Sequence, residues 1–171
     1  MLGWLDQAAT GGGDGAHQLM RRIAATLGAE GVAVRGAIQT NTPDGDDCHC
    51  DMTLEVLGDH GPDVTISQDL GRESQGCRLD AGALEGAAQR VLDTLPKAQM
   101  VVLNKFGKQE ILGRGMVAVI AAAMERDLPV LISVAPQQRA EFLAFAGDLA
   151  VPLAPEDAAQ WCRSAVRVAA S

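Results

Sequence analysis

Leu2-Gly3-Trp4-Leu5, the run Thr10-Gly11-Gly12-Gly13-Asp14-Gly15, and then Leu19, Ile23 and Leu27 at helical spacing open the chain and decide its fold. Strand, glycine turn, helix is how an α/β sheet begins. Gly28 and Gly31 stop that helix, and Val32 to Gln39 reads as a second strand. Met52, Leu54 and Val56 alternate with polar neighbours, and Val64-Thr65-Ile66 follows past Gly58 to Pro62, which predicts an antiparallel hairpin inserted beside the parallel sheet. Leu84, Ala88, Val91, Leu92 and Leu95 mark the next helix, and Met100 to Leu103 is an apolar strand of the kind buried on both faces. Met116, Val119, Ile120, Ala123 and Met124 mark another helix, followed by a buried strand from Pro129 to Val134. Helices over Gln137 to Phe145 and Glu156 to Val168 flank an edge strand at Leu149 to Leu153. The expectation is a three-layer α/β sandwich, a mostly parallel sheet with an inserted β-hairpin, forming a single domain over residues 1–171.

Composition narrows the function. At 171 residues the chain buries enough surface to close its core without a metal or disulfide, so any metal would be functional. Twenty-two Asp and Glu against 14 Lys and Arg leave a net charge of -8, and no basic run offers a footprint for nucleic acid or anionic membrane. With aromatic residues at 3%, stacking platforms for bases are scarce as well. Met1 to Thr10 has neither the basic nor the apolar region of a secretory signal, and no stretch reaches the roughly 20 apolar residues of a membrane span. A cytoplasmic location follows as the expectation, with the four cysteines reduced.

Ligands of parallel sheets bind beyond the carboxyl ends of the strands, so the segments there are the candidates. In the glycine turn, Gly11, Gly12, Gly13 and Gly15 would let backbone N–H groups face a phosphate. With Gly15 aligned to the last glycine of a phosphate loop, Ala16 stands where the lysine belongs and His17 where the magnesium hydroxyl belongs. The same run suits a flexible turn ahead of a helix. After Met100 to Leu103 comes Asn104-Lys105-Phe106-Gly107-Lys108-Gln109-Glu110, with Lys105 and Lys108 as anion donors and Glu110 as acceptor or general base. Arg114 adds a cation near the same mouth, and a charged solvated loop is the plainer reading of the whole segment. Cys48, His49 and Cys50, with Cys77, carry soft-metal ligands, though without the paired CxxC spacing of zinc fingers; they read equally as reduced surface thiols. Cys162, beside Trp161 on an amphipathic helix, reads as a small core residue. Gln39-Thr40-Asn41-Thr42 and Ser67 to Arg72 cluster amides and hydroxyls at strand ends, which fits either a polar ligand or turn chemistry. His17, His49 and His60 sit in no Gly-x-Ser-x-Gly or HExxH context, so triad and zincin chemistry have no foothold.

Gln39-Thr40-Asn41, Cys50-Asp51-Met52, Ser67-Gln68-Asp69-Leu70-Gly71, Gly76-Cys77-Arg78-Leu79-Asp80 and Asn104-Lys105-Phe106-Gly107-Lys108 together resemble a bacterial family known as a domain of unknown function. The likeness covers nearly the whole chain. That family is similar in turn to the small P-loop nucleoside-triphosphatases of the thermophilic and cancer-related type, whose corresponding segment reads Asp-Glu-Ile-Gly-Lys-Met-Glu. The resemblance implies a P-loop NTPase-like fold. Gly107, Lys108 and Glu110 match that segment, while its acidic pair has become Asn104 and Lys105. Members of the nearer family often sit beside molybdenum-transport or nitrogen-fixation genes, which implies metal handling.

Three functions follow as expectations. The first is a nucleotide- or oxyanion-binding protein on a degenerate P-loop fold, hydrolysis weak or absent, because the phosphate lysine, the magnesium hydroxyl and the acidic pair are all replaced. The second is a metal-handling accessory, with molybdenum as the implied metal, using Cys48, Cys50 and Cys77 with His49. The third is an active nucleoside-triphosphatase with an atypical phosphate loop. The partner in the first case is a small-molecule nucleotide or oxyanion, and a homo-oligomeric state stays open.

Overall fold

The computed structural model describes residues 1–44, 49–68 and 78–171. The chain runs through β1 (Leu2–Asp6), α1 (Gly13–Ala29), β2 (Val34–Asp44), β3 (His49–Leu57), β4 (Val64–Thr65), β5 (Ser67–Gln68), β6 (Arg78–Leu79) and α2 (Ala81–Thr94). It continues through β7 (Met100–Phe106), α3 (Lys108–Ile111), α4 (Val117–Glu125), β8 (Val130–Val134), α5 (Arg139–Ala146), β9 (Ala150–Leu153) and α6 (Ala158–Ala169).

Among the described residues seven strands form one sheet in the order β4-β3-β2-β7-β8-β1-β9. β2, β7, β8, β1 and β9 run parallel, while β3 and β4 add antiparallel at one edge. The order follows from the crossovers. From β1 the chain crosses past β8 and β7 to reach β2, then steps back in the opposite direction through β7 and β8 to β9. Crossovers of one hand must then place α1 on one face and the helices of the return steps on the other. The two cores show that split. Met20, Ile23 and Leu27 of α1 pack with Cys162 of α6, Met100, Val102 and Leu131. Leu84 and Val91 of α2, Ile120 of α4 and Phe142 of α5 pack with Val101, Leu103 and Ile132. Successive residues of β7 thus face opposite layers, so its apolar run has no polar alternation to show. The result is a three-layer α/β sandwich of the P-loop NTPase-like class.

Three element bounds differ from the sequence reading, each because a partner strand or helix overrides local residue preference. β7 does not end at Leu103: after an irregularity it pairs again, Phe106 with Val134, so Asn104 and Lys105 are strand residues. β2 runs on to Asp44 because β3 pairs with it from Gly36 to Asp44, and Thr40-Asn41-Thr42 lies in a strand where a turn was expected. The antiparallel addition is therefore continuous with the main sheet through β2. Gly15 lies inside the first turns of α1, not in a loop.

No helix among the described residues is long and apolar enough to cross a membrane.

Candidate functional site

The chain leaves β1 toward one face and β8 toward the other, and a sheet opens a crevice outside the carboxyl ends of its strands where such a reversal occurs. The turn after β1 is built there. Asp6 caps a 3-10 turn over Gln7–Thr10 by accepting from Ala8 N–H at 3.0 Å. The Thr10 hydroxyl lies 3.0 Å from the Gln7 carbonyl and 3.1 Å from that of Gly12, and Gly12 N–H donates to the Gln7 carbonyl. Gly11 and Gly12 take φ of 80° and 96°, backbone conformations that glycine adopts without strain. Gly12 then begins α1 with no side-chain cap, which leaves first-turn N–H groups of a 17-residue helix without an intrahelical acceptor. Gly13 is the first residue of α1.

A polar relay crosses the strand ends beneath this turn. Gln7 Nε2 donates to Ser133 Oγ at 3.0 Å, Ser133 Oγ donates to the Asn104 carbonyl, and Asn104 Nδ2 lies 3.2 Å from Nε2 of His17. Gln7, Ser133 and Asn104 are all buried, so each needs its partner. Burial holds His17 below the ordinary histidine pKa, with Lys105 adding to the effect and Asp14 opposing it. A neutral ring at pH 7 accepts at Nε2 from Asn104 and carries its proton on Nδ1.

Lys105 follows on β7. It is half-buried, and burial lowers its pKa while Glu110 nearby raises it. Among the described residues no hydrogen-bond acceptor or ion-pair partner meets its ammonium. Glu110 does not supply one. Its Oε2 accepts from Gly107 N–H at 2.9 Å and its Oε1 from Met116 N–H at 2.9 Å, so the residue ties the start of α3 to the start of α4.

Lys105, Lys108, Glu110, Asn104 and Gln7 line a cleft of about 390 Å³. Its lining also has an apolar part: Met52 and Leu54 of β3, Ile66, Leu79 of β6, Leu84 of α2 and Met116. Oε1 of Gln109, on the cleft wall, is shut off from solvent and accepts no hydrogen bond among the described residues. A buried acceptor left in that state costs about 1–3 kcal/mol, which a ligand N–H would recover.

The structure thus gathers Asn104, Lys105, Lys108 and Glu110 of the residues singled out in the sequence. Gly11, Gly12, Gly13 and Gly15 do not line the cleft; Gln7 stands between them and it. Arg114 lies in the turn between α3 and α4, its backbone N–H bonded to the Gln109 carbonyl, outside the cleft lining. Cys48 and Cys77 lie outside the described residues, while His49 and Cys50 start β3 opposite Asp44 and Pro43. Among the described residues no group of three His, Cys, Asp or Glu is placed to hold a metal. Cys162 is buried in the core, where burial pushes its thiol up to about 12. Sequence reasoning quoted Gln109 without a role and passed over Gln7, Ser133 and the apolar lining; a lone polar residue inside Leu131-Ile132-Ser133-Val134 was the signal for one of them.

A mostly parallel sheet between two helical layers, with a glycine turn between its first strand and first helix, is a P-loop NTPase-like fold. Within that class the chain belongs to the family described as "Protein of unknown function (DUF2478)", whose model matches residues 7–161. It is also similar to the molybdenum import ATP-binding protein ModC 2 of Bradyrhizobium diazoefficiens, 31% identical over 142 residues. That alignment covers 82% of this chain and 16% of the relative, so the chain spans only a small part of that protein's length. No solved structure matches the chain.

Proposed function

We propose that the protein binds a nucleotide or a related oxyanion in the cleft at the carboxyl ends of β7 and β8, with magnesium-dependent hydrolysis weak or absent. Lys105 carries the reading. A half-buried lysine with no ion-pair partner among the described residues, lining a cleft at the ligand-binding edge of a parallel sheet, suits an anion. The uncapped start of α1 near it adds a favourable dipole. The name of the Bradyrhizobium relative, an ATP-binding protein of molybdenum import, supports both nucleotide and molybdate as trial ligands. Weak hydrolysis follows from the residues present. Ala16 and His17 stand where a lysine and a magnesium-binding hydroxyl would act, and Glu110 has both oxygens engaged in holding backbone.

Calorimetric titration of the reduced protein with ATP, GTP and molybdate, each with and without magnesium, tests the reading. Micromolar binding that Lys105→Gln weakens at least tenfold, in a variant with an unchanged circular-dichroism spectrum, is the expected result. Equal affinity in Lys105→Gln overturns the placement.

A further inference from the structure

We infer that the cleft takes an organic anion: a flat nitrogen heterocycle seated against the apolar part of the lining, carrying a single phosphate-class group that reaches Lys105. The inference rests on the anion site proposed above and names its ligand class. The polar and apolar parts of the lining differ in chemistry, and a bare oxyanion would use only the first. Phosphate or molybdate at Lys105 leaves the half-buried Met52 and Leu79 of the lining without a ligand contact, although the cleft volume of about 390 Å³ lies in the range of about 300–1,000 Å³ typical of sites for whole small molecules. β3, added antiparallel to the main sheet, and β6 of the small β5-β6 sheet supply part of that lining, so the feature that distinguishes this sheet from a purely parallel one also makes the cleft partly apolar.

The polar groups of the lining point to a heterocycle rather than an alkyl chain. Gln109 and Gln138 bring carboxamides to the cleft beside those of Gln7 and Asn104, whose amide N–H groups already serve Ser133 and the His17 ring. A carboxamide pairs a donor with an acceptor in one plane, the arrangement that reads the edge of a nitrogen heterocycle such as adenine. Oε1 of Gln109, buried in the lining and accepting nothing among the described residues, is matched by a ring or exocyclic N–H. Among the described residues the lining has Lys105 and Lys108 as cations and Glu110 as its carboxylate, a small positive excess that favours one phosphate over three.

The test compares AMP and GMP with adenosine, inorganic phosphate and ATP by calorimetry on the wild type, Met52→Trp and Leu79→Trp, both substitutions being at half-buried positions of the apolar lining. Thermal melts confirm that each variant folds, and the second variant stands in should the first fail. The expected result is that AMP or GMP binds at least tenfold more tightly than inorganic phosphate and no more weakly than ATP, with the Trp variants losing tenfold for the monophosphate and nothing for phosphate. Phosphate binding as tightly as the monophosphates, or Trp variants that bind monophosphates unchanged, overturns the inference while leaving the anion site standing. Silence toward every compound removes the anion site and the inference together.

Discussion

Asn104 Nδ2 and His17 Nε2 stand 3.2 Å apart and join the end of β7 to the second turn of α1. The contact links the two candidate segments, the glycine turn with its helix and the lysine-bearing strand end. It also fixes the protonation of the ring. Burial is the main force lowering the His17 pKa from 6.5, followed by the Lys105 charge.

His17 therefore carries a pH signature of known sign. Its folded pKa lies below the unfolded 6.5, so the unfolded chain takes up the proton first. Stability contributed above pH 6.5 drains as the pH falls from there toward the folded value. Urea unfolding at pH 7.5 and 5.5 is expected to show a smaller loss on acidification for His17→Gln than for the wild type. A carbon-detected titration of the ring should place its midpoint below 6.5, and phosphate in the cleft should move it up, since a nearby anion favours the charged ring. A midpoint at or above 6.5 without ligand would contradict the buried neutral ring.

Glu110 is expected to act on stability rather than on turnover. Its two oxygens accept from Gly107 and Met116, and the residue is buried, so Glu110→Ala leaves two backbone N–H groups without acceptors. Hydrogen bonds to charged groups contribute about 1.5–3 kcal/mol each, and a loss of about 2–4 kcal/mol by urea denaturation is the expected outcome. Full stability with a lost activity would return Glu110 to the role of general base.

Gly15 and Gly13 should respond in opposite directions to alanine. A Cβ at Gly15 would drive into the Thr10 carbonyl, whereas one at Gly13 meets only Gln7 Oε1 at an ordinary 3.6 Å. Gly15→Ala is expected to cost about 1–3 kcal/mol through overpacking against backbone. Gly13→Ala, at a helical position without positive φ, should be neutral or stabilising by about 0.5–1 kcal/mol. The paired measurement shows whether Gly15 serves the close packing of turn on helix.

The alternation of strand and helix was readable because each face of the sheet imposes a period. Leu19, Ile23 and Leu27 show it on α1, and the unbroken apolar runs of β7 and β8 show two covered faces. What escaped reading depends on partners far away in the chain. Thr40-Asn41-Thr42 has turn residues, yet β3 extends β2 through it. Gln7 and Ser133, separated by 126 positions, form a buried bond that no local pattern announces. The cleft was half legible for the same reason. Asn104, Lys105 and Lys108 interrupt the end of an apolar run and are visible as a cluster, while Met52, Leu79 and Leu84 look like ordinary core until the fold sets them in one cleft with the lysine.

Lys105 offers the sharpest separation of function from stability. Its side chain is half-buried with no hydrogen-bond or ion-pair partner among the described residues, and burial lowers its pKa, so the charged form is a burden on the fold at every pH below its folded pKa. Lys105→Met keeps the length and apolar stem while removing the charge. Replacing a buried charged group by an apolar one of similar volume is commonly neutral or stabilising, and a gain of about 1 kcal/mol in urea is expected here. The same substitution should abolish anion binding in the cleft. A stabilised protein that no longer binds would mark Lys105 as a residue retained at a cost to stability for its ligand. A destabilised one would instead show that the ammonium is already satisfied within the fold, and the anion site would have to be sought elsewhere along the strand ends.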